Sequence, residues 1–331
     1  MSNLDQNKQE TTFNEEKKMN KINAVFFLQV KNANPNGDPN ANNCPRQLDD
    51  DRGFITPECI MRWVRNAAAE AGENIHVHPD NILVDAINEA YENATKNSDN
   101  KKDNRKVSND IVNELCDKYI DLRWRGGIFQ LGNAKDISCK RTGPISISQV
   151  ISIDTIDPYE VSGSKCCATT MKDVKIKKSK ENDSGENEGE HLQKETGKYG
   201  ISRSFVKYGL YKICISISPC LGKKTKLSED DVKKFFNYFR KMTLTNHSTA
   251  RPAGSITLID GHFFTHSSEL GDIQDANIYD AVNYKKKDGI EEEQNISDYE
   301  LLPVTKFNNI SYACESYYPK QQVVVDGSLY Y

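Results

Sequence analysis

Residues 21–31, KINAVFFLQVK, constrain the fold most strongly. The run is apolar, aromatic and β-branched, with too few polar positions for a wetted face, so it reads as a strand buried on both faces. Lys207 to Ser218 (KYGLYKICISIS) and Gly254 to Phe264 (GSITLIDGHFF) have the same character. Pro144 to Asp154 (PISISQVISID) alternates as a strand does, and QQVVVDG near the end reads as a last strand. Helical patterns fall between these runs. Thr56, Pro57 and Glu58 open a helix that runs to about Ala71, where Gly72 can end it. Its apolar residues Ile60, Trp63, Val64 and Ala67 keep helical spacing. Ser228 and Asp231 form a capping-box pattern before Val232, Phe235, Phe236, Phe239 and Met242, which mark one helix face. With the remaining segments set aside, the order is βαββαβ. That is the α+β ferredoxin-like or RRM-like split unit.

The chain has 331 residues, of which 37% are hydrophobic and 28% charged. That length allows one large domain or two ordinary ones, and the single βαββαβ order favours one domain over 21–331. Residues 1–20 are polar and read as a disordered tail rather than a signal peptide. Two insertions are expected. Residues 73–143 look mostly helical, with Asp80 and Ser108 as caps and glycines 126, 127, 132 and 143 as tight turns. Residues 155–204 fit an extended β-hairpin arm. Its 172–180 stretch, KDVKIKKSK, alternates Lys with apolar residues, and 181–190, ENDSGENEGE, reads as a disordered acidic tip. DANIYDAVNYKKK (275–287) reads as helical.

Several function classes drop out. No run of about 18 apolar residues exists, so no membrane span is expected and residence is expected to be cytoplasmic. The 9 cysteines show neither a CxxC pair nor Cys/His ligand spacing, which points to reduced thiols without zinc. GxSxG, HExxH and Cys–His signatures are absent, so no catalytic residues, metal or cofactor are expected. His76-x-His78 lacks a third ligand, His262 and His266 read as surface or partly buried histidines, and Asp49-Asp50-Asp51 as a solvated loop.

The net charge of −4 does not announce a nucleic-acid binder, but the positive charge is clustered. NPNGDP (34–39) is either a plain Asn/Pro/Gly turn or one that presents backbone N–H groups to an anion, through Asn34, Asn36 and Gly37. Arg46 follows it, and Arg62 and Arg65 lie three apart on one face of the first helix, where arginines suit successive phosphates. Arg123, Arg125, Lys140 and Arg141 surround the glycine-rich turns, which could let a sugar–phosphate chain come close. Lys175 and Lys177 lie on the arm, and Arg203, Lys207 and Arg251 near strand ends.

KNANPNGDP (31–39), PR (45–46) and the IMRWVRN helix (60–66) resemble the signature of the RAMP-superfamily backbone subunit of type I CRISPR interference complexes, or Cascade. DLRWRGGIF (121–129) with GPISIS (143–148), ISRSFVKYGLYK (201–212) and ARPAGS (250–255) resemble further signatures of that family, in family order. Spacing and loops are closest to the type I-C branch, with type I-B second. The resemblance implies an RRM-like palm, helical fingers at 73–143 and a β-hairpin thumb at 155–204. It implies a non-catalytic subunit that polymerises along CRISPR RNA and holds the guide for pairing with target DNA, beside other Cascade subunits and a recruited nuclease-helicase. The first helix carries Met61 and Trp63 where the family is richer in Lys/Arg, and Ala253 stands where an acid is common. One alternative is a type III-like backbone that cuts target RNA, for which Asp154, Asp157 and Asp173 are the available carboxylates. Another is a stand-alone nucleic-acid-binding regulator.

Overall fold

The computed structural model describes residues 19–96, 104–130, 138–164, 200–318 and 323–324. In chain order, β1 (Ile22–Ala33) leads through the short pair β2 (Gly37–Asp38) and β3 (Cys44–Pro45) to β4 (Arg52–Ile55) and helix α1 (Pro57–Glu70). Helices α2 (Leu83–Lys96), α3 (Asn104–Lys118) and α4 (Ile120–Arg125) precede a hairpin of β5 (Gly126–Gln130) and β6 (Ser138–Thr142). Strands β7 (Ile145–Ile147), β8 (Val150–Thr155), β9 (Pro158–Ser164) and β10 (Gly200–Ile217) follow, then α5 (Pro219–Thr225), α6 (Glu229–Thr245) and β11 (Ile256–Thr265). The C-terminal part holds α7 (Asp275–Asp280), β12 (Tyr284–Lys286), β13 (Tyr299–Leu301), β14 (Ser311–Ser316) and β15 (Val323–Val324).

The main sheet runs β15-β14-β11-β1-β10-β8-β4, with β7 and β9 also pairing β10. Its four central strands are therefore the last, first, third and second of the expected βαββαβ order, all antiparallel. Strand β1 is buried on both faces because its side chains alternate between two layers. Ala24, Phe26 and Leu28 pack with α1 and α6, where Phe236 and Phe239 meet Phe26. Val25 and Phe27 point the other way, into a layer supplied by Ile278, Val282, Tyr299 and Ile310. A third, smaller core joins α2 and α3 to Phe129 and Cys139 of the β5–β6 hairpin.

Both expected helix caps on the main layer are present. Thr56 Oγ1 accepts from the Cys59 N–H with Pro57 at the first position, and Gly72 follows α1 at φ +88°. Ser228 and Asp231 close a reciprocal capping box on α6.

Other expectations need correction. Ser108 lies inside α3, which begins at Asn104, and α2 begins at Leu83 rather than after Asp80, because Asn, Asp and Ser are dense throughout this stretch and offer many equivalent caps. The 144–154 run is two strands, β7 and β8, each pairing β10. Gly126 and Gly127 lie in strand β5 of the β5–β6 pair and Gly143 follows β6, while Gly132 lies outside the described residues. Helix α7 ends at Asp280 and the chain returns as β12. Three of the histidines are deeply buried, His76, His262 and His266 at 4%, 1% and 1% exposed, whereas His78 is only half-buried.

The arm and the core strand expected at 207–218 are one continuous strand. β10 pairs β9 over Gly200–Val206 and β1 over Val206–Ile217. Lys175, Lys177 and the acidic stretch 181–190 lie outside the described residues, as do 1–18 of the expected tail. No described helix is long and apolar enough to cross a membrane.

Candidate nucleic-acid interface

The first group of expected site residues gathers at the C-terminal end of β1. The turn that leaves the strand is held by its own polar groups. The Asn34 N–H donates to Ala250 O at 2.8 Å, and Asn34 Nδ2 to Asn43 O at 2.6 Å. Asn36 Oδ1 accepts from the Thr56 N–H at 3.0 Å, which ties the turn to the start of α1. A Cβ on Gly37 would stand 2.8 Å from Asn43 O. Asn34, Asn36 and Gly37 therefore build the loop, and Asn34 is only 6% exposed.

The loop presents arginines. Arg46 lies over the Phe54 ring at 5.8 Å, with Nη1 3.5 Å from Asp38 Oδ2 and a buried Nε that has no hydrogen-bond partner among the described residues. Arg251 lies over the Trp63 ring at 5.7 Å, with Nε 3.4 Å from Asn246 O. Trp63 itself is 3% exposed and belongs to the core. Cys59 feels both guanidinium groups. Burial pushes its thiol up to about 11, while Arg251 and Arg46 act in the opposite sense. Arg46 and Arg251 thus converge on the first turn of α1. Arg62 is exposed one turn further on and makes no ion pair among the described residues.

The arm is docked against this loop. Cys44 Sγ lies 3.3 Å from Ser204 Oγ, and the Tyr159 hydroxyl donates to Asn32 Oδ1 at 3.1 Å. That brings Arg203, exposed on β10, and Lys207 to the same end of the molecule. Lys207 pairs with Asp157 at 2.6 Å, but both side chains are exposed. Such a pair is weak and can exchange its carboxylate for a phosphate.

The second group does not join the first. Arg65 donates from Nε to Asp121 Oδ2 at 2.9 Å, and Asp121 is wholly buried, with the His76 and Val77 N–H groups on the same carboxylate. Arg123 makes two bonds to Asp231, at 2.8 and 3.0 Å, and a third to Cys116 O. Burial raises the Asp231 carboxyl, but the Arg123 and Ser228 bonds outweigh it and the net shift is downward. Arg65 and Arg123 are therefore engaged in holding α1, α4 and α6 together. The sequence shows their spacing but not the carboxylates that occupy them.

Arg125, Lys140 and Arg141 line an open groove of about 830 Å³ beside the N-terminal end of β1, together with Lys21. Sequence reasoning missed Lys21 and the serines that line the same groove, which come from the far ends of strands. The glycines beside them serve the protein's own packing. A Cβ on Gly126 would stand 2.1 Å from Arg141 O, and one on Gly143 2.0 Å from the Arg125 backbone.

Among the described residues no group of three or more His, Cys, Asp or Glu side chains could hold a metal ion. Of the carboxylates considered for RNA cleavage, Asp154 accepts from the Tyr299 hydroxyl at 2.8 Å and Asp157 pairs Lys207. Asp173 lies outside the described residues.

The model of a family described as CRISPR-associated protein Cas7 matches residues 20–303. No curated protein sequence matches the chain. The chain is similar to a solved structure titled "CRISPR RNA-guided surveillance complex, pre-nicking", at 9% identity over 78% of this chain and 81% of that one, with a TM-score of 0.46. A second, titled "CRISPR RNA-guided surveillance complex", is 12% identical over 82% and 78% of the two chains, with a TM-score of 0.44.

Proposed function

This chain belongs to the family of CRISPR-associated protein Cas7, and from that membership we propose that it is a crRNA-binding backbone subunit of a Cascade complex, holding the guide for pairing with target DNA. The family match over residues 20–303 carries the reading. The geometry supports it at one place, the C-terminal end of β1, where Arg46, Arg62, Arg203, Lys207 and Arg251 meet around a loop fixed by Asn34, Asn36 and Gly37. Cations from four separate segments on one surface suit a phosphate backbone, which is read by charge and shape while sequence is read by base pairing.

The finer parts of the reading are these. The sheet with α1 and α6 is an RRM-like, ferredoxin-like palm; the α2–α3 layer is the fingers; the β9–β10 hairpin is the base of a thumb. Copies of the chain assemble along the guide beside other Cascade subunits and a recruited nuclease-helicase. The subunit is cytoplasmic and does not cleave RNA, and type I-C is its nearest branch.

The test is purification under gentle salt, followed by sizing and RNA extraction. The protein should carry RNA, bind it with little sequence preference, and grow in size on a full-length guide. Each phosphate contact releases a counterion, so affinity should fall steeply with salt. Arg46→Ala with Arg251→Ala should weaken binding across all sequences. A binding constant indifferent to salt would refute the reading, and metal-dependent cleavage of paired RNA would favour the type III-like alternative.

A further inference from the structure

Three cations in the groove at the N-terminal end of β1 have no carboxylate partner among the described residues. Arg125 Nη1 donates to Ile145 O at 3.0 Å, a neutral acceptor. Arg141 bonds to Asn109 Oδ1 and to Lys140 O, also neutral. The Lys140 side chain is exposed and has no hydrogen bond or ion pair among the described residues. Among the described residues the one carboxylate that lines the groove, Asp275, is already paired with Lys21 at 2.5 Å. Burial and the nearby Arg65 both push the Arg125 guanidinium down from its ordinary value, so the fold holds this charge at a cost that an anion would relieve.

The rest of the lining suits a phosphodiester. Thr142, Ser146 and Ser218 also line the groove and carry hydroxyls of the kind that accompany Arg and Lys at sugar–phosphate backbones. Ile128 and Leu270, 65% and 80% exposed, border the same space and offer apolar surface on which unstacked bases can rest.

This groove is separate from the loop site. β1 spans 12 residues between Lys21 and Asn34, on the order of 35 Å at the rise of a strand.

We propose that this groove is a second nucleic-acid site, which binds the phosphate backbone of a single strand other than the guide. The inference rests on the reading of the loop site as the guide's. It is tested on protein saturated with guide RNA, by titrating fluorescent oligothymidine DNA that cannot pair with the guide. Lys140→Ala with Arg141→Ala should weaken oligothymidine binding about tenfold and flatten the slope of log K against log salt by about 1.4, as loss of two single-strand phosphate contacts requires. Guide affinity should stay unchanged.

Loss of guide binding in the same variant would place the groove on the guide's path and overturn the proposal. So would guide-loaded wild-type protein that ignores oligothymidine, or that binds polyglutamate there instead. If the wild-type protein takes up no guide, the reading of the loop site fails on its own. The titration is then run on the free protein, where an oligothymidine affinity unchanged by the double variant overturns the groove and a tenfold loss supports it.

Discussion

Arg62 and Arg65 show how two residues of one type, one turn apart, come to serve different ends. Arg62 points to solvent, whereas Arg65 closes a buried carboxylate. Arg65→Ala would leave Asp121 charged, wholly buried and short of its cation. Breaking such a pair costs on the order of 3 kcal/mol. Arg62→Ala should change stability by no more than about 0.5 kcal/mol and weaken RNA binding. Urea midpoints and RNA titrations of the two variants separate the roles, and equal midpoints would show that the Asp121 pair is dispensable. The i,i+3 spacing made both arginines visible in the sequence. Only the fold shows that α4, some 56 positions away, brings a carboxylate to one of them. Arg123 follows the same logic with Asp231. Arg46 and Arg251 were legible as cations, but their convergence on Cys59 was not, because it depends on the pairing of Asn34 with Ala250 across the end of β1.

At the scale of elements, local signals held where one residue type had one job. Thr56–Pro57 and Ser228–Asp231 start α1 and α6 as their side-chain chemistry requires. The glycines after α4 were visible too, but their purpose was not. Gly143 has no room for a methyl group, since the backbone of Arg125 occupies the place. A Cβ on Gly163, exposed on β9, would meet nothing within 4 Å among the described residues. Gly143→Ala must therefore push the β5–β6 hairpin away from α4, at a cost of about 1–3 kcal/mol or more. Gly163→Ala should stay within about 0.5 kcal/mol of the parent. Urea unfolding of the pair checks this, and a neutral Gly143→Ala would mean that the hairpin moves freely against the helix. β10 carries a related lesson. Its apolar half was legible as a core strand and its polar half as an arm, because burial changes along it while the backbone does not. The covering of the second sheet face by residues 273–312 was not foreseen, since its apolar residues are scattered among turns without a period.

For the whole molecule, acid is the condition that acts on several junctions together. His266 joins two of them. Its Nδ1 accepts from the Asp272 N–H at 2.8 Å, so Nε2 carries the proton and donates to Asn23 Oδ1 on β1, also at 2.8 Å. This arrangement needs the neutral ring. Burial lowers the His266 pKa, with Lys21 acting in the same direction. His76, where the α2–α3 layer meets Asp121, is lowered first by burial and then by Arg65. In both cases the unfolded chain binds a proton that the folded chain refuses. Stability from these groups is therefore complete above pH 6.5 and declines as pH falls from there toward the lowered folded values. A second decline should come in more acid solution. Asp231 and Asp275 are held below 3.8 by Arg123 with Ser228 and by Lys21, against the opposing effect of burial. Their contribution is present above the unfolded value and is lost as pH falls through the folded one. Melting temperature measured from pH 7.5 down to pH 3 should thus fall in two stages. His266→Gln keeps a donor toward Asn23 but does not titrate, so it should reduce the first stage and leave the second in place. A first stage undiminished in His266→Gln and in His76→Gln alike would show that these rings do not govern the loss, and that its source lies outside the two junctions.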